Sequence, residues 1–420
     1  MKKPSPVVSA DPERREFLKT TGLASLAAAL GGTIPFAGNL PSGVVPEALA
    51  QAATTTGLLK GKRGLRVLGD RPENAETPVE LLDDEITPNE RHFVRNNGIV
   101  PDRAWRQDAD GWSLTIDGEV ERRLVLTLPQ LQQKYRPVSA ALVIECGGNG
   151  RAGYNPPAKG NQWTLGAVGC AQYRGVRLRD VLNDAGVKAS AVYIGYHSED
   201  LHLSRDPAKE AISRGVPIAK ALDEHTLLAW EMNGEPLPAY HGFPLRLICP
   251  GWPGSTGGKW LKGISVRDRV HDGSKMTGSS YRVPRYPVAP GTKVPDEDME
   301  IIEEMPVKSI ITRPGTGIET SADAALEVRG HAWSGYGDVK EMHVSIDFGA
   351  RWIPAKLASP RNRFAWQRWS AAVRFPSRGY YEIWARATDE RGHMQPMLVP
   401  GWNPKGYLNN AMQRIAVRVS

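Results

Sequence analysis

The chain has only three cysteines in 420 residues, Cys146, Cys170 and Cys249, and none of them stands in a CxxC or CxxCH spacing. That excludes an attached c-type haem in this chain and leaves no thiolate pair for a zinc site. The nine histidines form no HExxH and no dense cluster, which argues against a zinc hydrolase. No basic run is interleaved with aromatic residues, so nucleic acid is a poor choice of partner. No stretch reaches the roughly 20 apolar residues that a membrane-spanning helix requires. Internal repeats and low-complexity segments are missing too. What remains is globular in proportion: 40% hydrophobic and 24% charged residues, with a net charge of +7 spread along the chain. Such a balance suits an anionic small substrate without demanding one. At roughly 150 residues per domain the length accommodates two or three domains. The 43 glycines and 33 prolines point to many turns and short strands.

The first fifty residues read as a leader. Arg14-Arg15 precede Phe17-Leu18-Lys19, an alanine-rich stretch from Thr20 to about Leu30 follows, and Ala48-Leu49-Ala50 offers a small-x-small cleavage site. The stretch is too short and too broken by Gly22, Gly31 and Gly32 to span a bilayer. These parts resemble a twin-arginine signal peptide over 1–50, the route for proteins exported already folded. The expectation is a periplasmic mature protein with no membrane span. In that compartment three cysteines leave room for one disulfide, but Cys170 and Cys249 sit in apolar or glycine-rich settings and are expected as buried thiols.

Residues 51–95 are polar and proline-broken and read as an extended N-terminal arm. From Trp112 short strands begin: Trp112 to Ile116 alternates and is expected to turn at Asp117-Gly118. Thr127 is placed as the N-cap of a helix carrying Pro129 in its first turn, and Leu178 to Leu182 as a short helix closed by Gly186. A loop-rich stretch from Gly273 to about Pro295 is expected to link 96–295 to a second domain over 296–420. There, strands are expected over Ala325–Gly330, Met342–Asp347, Ala372–Phe375 and Tyr380–Ala387, a spacing that reads as an immunoglobulin-like β-sandwich.

Two stretches carry chemistry. Ala141 to Ile144 is an apolar strand that stops at Glu145-Cys146-Gly147-Gly148-Asn149-Gly150-Arg151. A cysteine on a glycine turn at a strand end can be approached by a large group, and its thiolate is a nucleophile or a soft-metal ligand. Further on, His241 to Leu247 is expected to enter a strand, followed by Pro250-Gly251-Trp252-Pro253-Gly254-Ser255-Thr256-Gly257-Gly258-Lys259-Trp260. Free backbone N–H groups with a lysine suit a phosphate. It is not a Walker A loop, since Trp260 stands where Ser or Thr would be required.

In combination and order these pieces resemble the sulfite oxidase family of molybdenum-cofactor enzymes over nearly all of the mature length. The resemblance rests on Phe93-Val94-Arg95-Asn96-Asn97, the Cys146 turn, Trp163 to Val168, Tyr173 to Leu178, Glu231 to Gly234, the His241 stretch, Lys259-Trp260 and Trp402-Asn403-Pro404-Lys405-Gly406. It is similar above all to bacterial periplasmic sulfite dehydrogenases and to the sulfane dehydrogenase catalytic subunit. The resemblance implies an α+β fold: a mixed molybdopterin-binding domain, then the immunoglobulin-like sandwich as dimerisation domain. It further implies molybdenum on a single molybdopterin, with Cys146 as the metal's protein ligand. Phe93, Val94, Arg95, Asn96, Asn97, His241, Arg246, Gly257, Gly258 and Lys259 match positions that hold the pterin and its phosphate. Arg95, Arg151, Trp163, Tyr281 and Lys405 match the substrate pocket. Asn97 stands where the animal enzymes have histidine, and Lys405 where they have arginine, which keeps the charge but loses the fork. The activity implied is oxidation of sulfite, or a related sulfur oxyanion, with electrons passed to a separate c-type cytochrome. The alternative is a sulfane dehydrogenase subunit acting on carrier-bound sulfur beside a dihaem partner. Either a homodimer or a complex with a haem subunit is expected. A sulfoxide reductase fits less well, because a neutral substrate needs no cationic pocket, and a binding module would leave the Cys146 turn unexplained.

Overall fold

The computed structural model describes residues 59–420; the expected signal peptide and the start of the arm lie outside these described residues. The rest of the arm is more than a tether. Arg66–Asp70, Glu73–Glu76 and Val94–Arg95 form a three-stranded antiparallel sheet. Proline-broken strands this short give no alternation to read, so the sequence reading as an extended arm is corrected here. Among the described residues no helix is long and apolar enough to cross a membrane.

Two sheets build the body that follows. The first orders Glu235–Pro236, Leu227–Met232, Val168–Arg177 and Val138–Glu145, with Arg246–Ile248 also pairing onto Leu227–Met232. The second orders Leu124–Thr127, Ser113–Gly118, Leu261–Arg267, Tyr193–Ser198 and Gly215–Pro217, and it mixes one parallel pairing with antiparallel ones. The strand from Ser113 runs on through Asp117 to Gly118, so the turn comes later than the Asp-Gly pair suggests. Thr127 caps the helix Leu128–Lys134 as expected, with a reciprocal hydrogen-bond pair to Gln130. The helix Leu178–Ala185 ends on Gly186 at φ 74°, a left-handed cap that glycine adopts without strain. His241 does not enter a strand: it ends a single turn, Ala239–His241, and strand pairing starts only at Arg246. Gly242 at φ 108° and Pro244, which has no N–H to donate, hold the chain out of the ladder.

Residues 308–420 form the expected sandwich. One sheet orders Lys308–Arg313, Leu326–Trp333, Gln367–Val373 and Lys356–Leu357; the other orders Ile318–Thr320, Gln413–Val419, Gly379–Asp389, Val339–Ser345 and Ile353–Pro354. The strand expected at Ala372–Phe375 lies mostly earlier, at Gln367–Val373. Val328, Val344, Trp369, Ile383 and Val417 fill the space between the sheets. A separate apolar layer, with Val143, Val168 and Cys170 on one side and Ile310, Trp333 and Trp366 on the other, joins the sandwich to the back of the first sheet. All three cysteines are free and buried, as expected for Cys170 and Cys249.

Candidate active site

Along Val138–Glu145 the residues pass from partly exposed to fully buried, and the strand delivers Cys146 to a cleft lined by Phe93, Arg95, His241, Lys259 and Tyr281 among others. The turn that follows is closed without help from the cysteine side chain. The Cys146 N–H donates to the Ala167 carbonyl at 2.9 Å, and the Cys146 carbonyl accepts from Asn149 N–H at 2.8 Å. A side chain at Gly148 would collide with the Arg151 guanidinium, so glycine there lets Arg151 fold back over the turn. The cleft lies where two apolar cores meet. Phe93, Cys146, Tyr240 and Trp260 belong to one core, Tyr196 and Tyr281 to the other.

Arg95, Arg246 and Lys259 line the cleft, Lys62 and Arg214 lie behind it against His241 and Tyr281, and the hydrogen-bond partners of these cations are neutral. Lys259 donates to the carbonyls of Arg95 at 3.0 Å and Tyr240 at 2.8 Å, and to the Asn96 amide oxygen. Burial, with Arg246 next, drives its pKa far below the ordinary lysine value. Lys62 donates to the carbonyls of Asn89 at 2.6 Å and His92 at 2.8 Å and meets His241 Nε2 at 2.5 Å; burial brings its pKa down to about 7. Burial and then Lys62 push His241 well below the usual imidazole range, so it is neutral. Arg214 donates to Ser255 Oγ at 2.6 Å, and Arg246 lies over the Tyr173 ring at 5.7 Å. Among the described residues none of these side chains has a carboxylate within ion-pair distance, a costly arrangement unless an anion completes it.

Arg95 faces the thiol. It donates to Asn97 Oδ1 at 2.9 Å and to the Tyr281 hydroxyl at 3.3 Å. Burial opposes its charge, but the Tyr281 phenol and the Cys146 thiol outweigh it and raise the Arg95 pKa. Tyr281 stacks on Tyr407 at 5.6 Å, Arg151 lies over Tyr407 at 5.1 Å and Arg214 over Tyr281 at 4.6 Å, so two arginines bracket an aromatic pair. Of the residues assigned by sequence, Phe93, Arg95, Asn97, Cys146, His241, Arg246, Gly257, Lys259 and Tyr281 line the cleft together. Val94 and Asn96 are buried just behind it, and Gly258 packs against Tyr196, where a Cβ would meet the ring at 2.6 Å. Arg151 does not line the cleft itself: it donates to the carbonyls of Lys405 at 2.5 Å and Asn161 at 2.9 Å, behind Tyr407. The Lys405 ammonium is half-buried, and burial, then Lys159 and Arg151, lower its pKa. Trp163 lies deeper still, wholly buried with its edge against Phe93 at 6.5 Å.

Sequence reasoning missed Lys62, Arg214, Tyr407 and Asp200. Asp200 is a wall residue whose Oδ2 has no hydrogen-bond partner, and burial pushes its pKa up to about 6 despite Lys259. A raised carboxyl pKa favours the fold while the group is protonated in the folded state. That contribution is complete below about pH 4 and is lost as pH rises through about 6. The cofactor-free protein should therefore lose up to about 3 kcal/mol across that window. Asp200→Asn should flatten the loss in urea melts taken at intervals of pH, and an unchanged slope would assign it to other groups.

Whether a molybdenum pterin suits this cleft can be judged from the residues themselves. Among the described residues no three His, Cys, Asp or Glu side chains gather to hold a metal, so a metal at Cys146 must bring its other ligands with it. A metal carried on a pterin dithiolene does so. Arg246 Nε, Arg214 Nε, Asn96 Nδ2, Ser198 Oγ and Asp200 Oδ2 are all buried without partners. Cations for a phosphate and mixed donors and acceptors for a pterin ring are what that ligand needs. The residues fit the group.

Comparison with known proteins agrees. Residues 98–275 match the oxidoreductase molybdopterin binding domain, and residues 299–420 the Mo-co oxidoreductase dimerisation domain. Mitochondrial sulfite oxidase of Rattus norvegicus is 34% identical over 374 residues, covering 84% of this chain and 66% of that protein. Sulfite oxidase of Gallus gallus is 34% identical over 362 residues, 84% of this chain and 77% of that one. Among solved structures, the sulfane dehydrogenase SoxCD from Paracoccus pantotrophus superposes with a TM-score of 0.69 at 26% identity, over 90% of this chain and 95% of that one. The chain belongs to the sulfite oxidase family of molybdopterin oxidoreductases.

Proposed function

We propose that this protein is a periplasmic sulfite dehydrogenase, exported by the twin-arginine route, that oxidises sulfite to sulfate and passes the electrons to a separate c-type cytochrome. The observation that carries this reading is a thiol set opposite a half-buried guanidinium, Arg95, in a cleft whose other cations also lack carboxylate partners among the described residues. When bound, the molybdenum pterin supplies the two-electron acceptor and the oxygen-transfer centre. Cys146 offers one sulfur to the metal. Arg246, Lys259 and Arg214 would supply positive charge to the cofactor's phosphate, and Asp200 would offer the pterin an acceptor.

Arg95 then holds an oxyanion beside the thiol, and its guanidinium stays protonated while doing so, as arginine does throughout the working pH range. The Tyr281 hydroxyl, shared between Asn97 and Arg95, is the neighbouring group placed to take up and release the protons that sulfate formation from sulfite and water liberates. Arg151 and Lys405 add positive potential outside the aromatic pair and draw a dianion inward. The sequence carries no CxxCH for a covalently attached haem, which supports a separate cytochrome as the acceptor. The C-terminal sandwich supports assembly as a homodimer or with a haem subunit.

The test is steady-state oxidation of free sulfite by molybdenum-loaded protein, first with ferricyanide and then with cytochrome c. Turnover with both acceptors is the expected result. The likeness to SoxCD favours one second reading, a sulfane dehydrogenase. Loaded protein that ignores sulfite but oxidises sulfane sulfur on a carrier cysteine would replace the first reading with that one.

A further inference from the structure

The strand that presents Cys146 is the edge strand of its sheet, paired on one side only with Val168–Arg177. The sandwich half of the chain covers its other side. Val143 N–H donates to the Phe364 carbonyl at 2.8 Å, and Asn362 makes a reciprocal pair with the Ala141 backbone, at 2.9 Å and 2.8 Å. At the strand's end stands Glu145, 2% exposed. Its Oε1 accepts from Lys308 Nζ at 2.6 Å and from Asn149 Nδ2 at 3.0 Å, and its Oε2 from Trp333 Nε1 at 2.8 Å. Lys308 reaches on to the Asn149 carbonyl at 3.3 Å, and Asn149 Oδ1 accepts from Ala167 N–H at 3.0 Å. Residues on both sides of the Cys146 turn are thus tied into one buried network whose anchors, Lys308 and Trp333, belong to the sandwich.

A buried ion pair is poor support for stability, since apolar residues of similar shape would serve as well. Its value here is geometric: every acceptor position of the Glu145 carboxylate that the network uses is directional, and the residue next in sequence is the thiol. We propose that Lys308 and Trp333 of the sandwich domain are positioning residues for the metal-binding thiol, fixing the Cys146 turn through Glu145 and Asn149. The domain known for assembly thereby sets the geometry of the catalytic one. This rests on Cys146 being the metal ligand.

The test uses the full chain, produced with and without cofactor. Lys308→Met alone leaves a buried carboxylate unpaired and risks the fold, so the principal variant is the neutral pair Glu145→Gln with Lys308→Met; Trp333→Phe, which removes one hydrogen bond, is the milder companion. In the cofactor-free double variant Cys146 should react with iodoacetamide faster than in wild type, on the scale of the roughly tenfold that losing an outer-shell partner costs a metal site in affinity. Cys170 and Cys249, held by burial at pKa values of about 12, serve as internal standards and should not change. Molybdenum retained by the loaded variant after dialysis should fall by a similar factor, with Trp333→Phe in between. Wild-type alkylation and retention in the double variant would overturn the proposal. So would equal acceleration at all three thiols, which would make the network a general prop for the fold. Wild-type protein that takes up no molybdenum would sink the reading of Cys146 instead.

Discussion

Cys146→Ser is expected to fold normally, to keep a recognisable cleft, and to lose about a thousandfold in turnover, or ~4 kcal/mol of transition-state stabilisation. The direction follows from the donor atom. A thiol ionises near neutral pH and its sulfur is soft, whereas a serine hydroxyl stays protonated and hard, so a metal held as proposed would lose its protein ligand. Retention of the fold follows from the turn. Its hydrogen bonds, Cys146 N–H to Ala167 and Asn149 N–H to the Cys146 carbonyl, are made by backbone and do not involve the side chain. The exchange alters one heavy atom at a position that already faces the cleft. Melting temperature and circular dichroism should match wild type while sulfite turnover vanishes. Full turnover in a variant of proven molybdenum content would remove Cys146 from the mechanism. Cys170→Ala and Cys249→Ala are the proper controls, since both thiols are buried away from the cleft and should cost stability only.

What could be read from the sequence divides by distance along the chain. The Cys146 turn announces itself because strand, thiol and glycines are contiguous, and local sterics decide their shape. The sandwich shows itself through alternation repeated at short intervals, again a local signal. The Thr127 cap and the Gly186 stop are the same kind of information. Contacts made across the fold are another matter. Lys62 meets His241 from 179 residues away, and Lys308 meets Glu145 from 163. Nothing around Lys62 distinguishes it from any lysine on a polar arm, and its role appears only once the arm has folded over His241.

Charge buried in pairs of opposite sign is equally hidden, because a glutamate after four apolar residues looks like the end of a strand and not like its anchor. The pocket residues taken from family resemblance fared unevenly for a physical reason. Arg95 and Tyr281 reach the cleft directly, while Arg151 acts through the Tyr407 ring and Trp163 packs behind Phe93. Resemblance matches positions along the chain; the rotamer and the neighbours decide how far each side chain reaches.

Arg246 gives the sharpest separation between holding a fold and holding a ligand, because the two effects of removing it have opposite signs. It is 4% exposed and, among the described residues, has no carboxylate partner and no acceptor for its Nε. Burial lowers its pKa, and the rings of Tyr173 and Tyr196 compensate only in part. The folded chain without cofactor thus carries a charge that would be better solvated in the unfolded state. Arg246→Met keeps most of the buried stem and discards the charge, so the cofactor-free variant should be more stable than wild type by about 1–4 kcal/mol. With cofactor the balance reverses. Removing one partner of a desolvated guanidinium–phosphate pair costs at least about 2–5 kcal/mol, and molybdenum content after dialysis should drop about a hundredfold. Arg66 is the counter-example within the same protein. Its guanidinium is also buried but is paired with Glu76, so Arg66→Met should weaken the fold by leaving the Glu76 carboxylate without its cation, held only by the Thr164 N–H and hydroxyl. A cofactor-free Arg246→Met chain that melts below wild type would mark Arg246 as structural. Unchanged molybdenum content would move the phosphate to Lys259 and Arg214. Higher stability without cofactor, together with lost affinity for it, is the behaviour of a residue kept at the expense of the fold because a ligand's negative charge completes it.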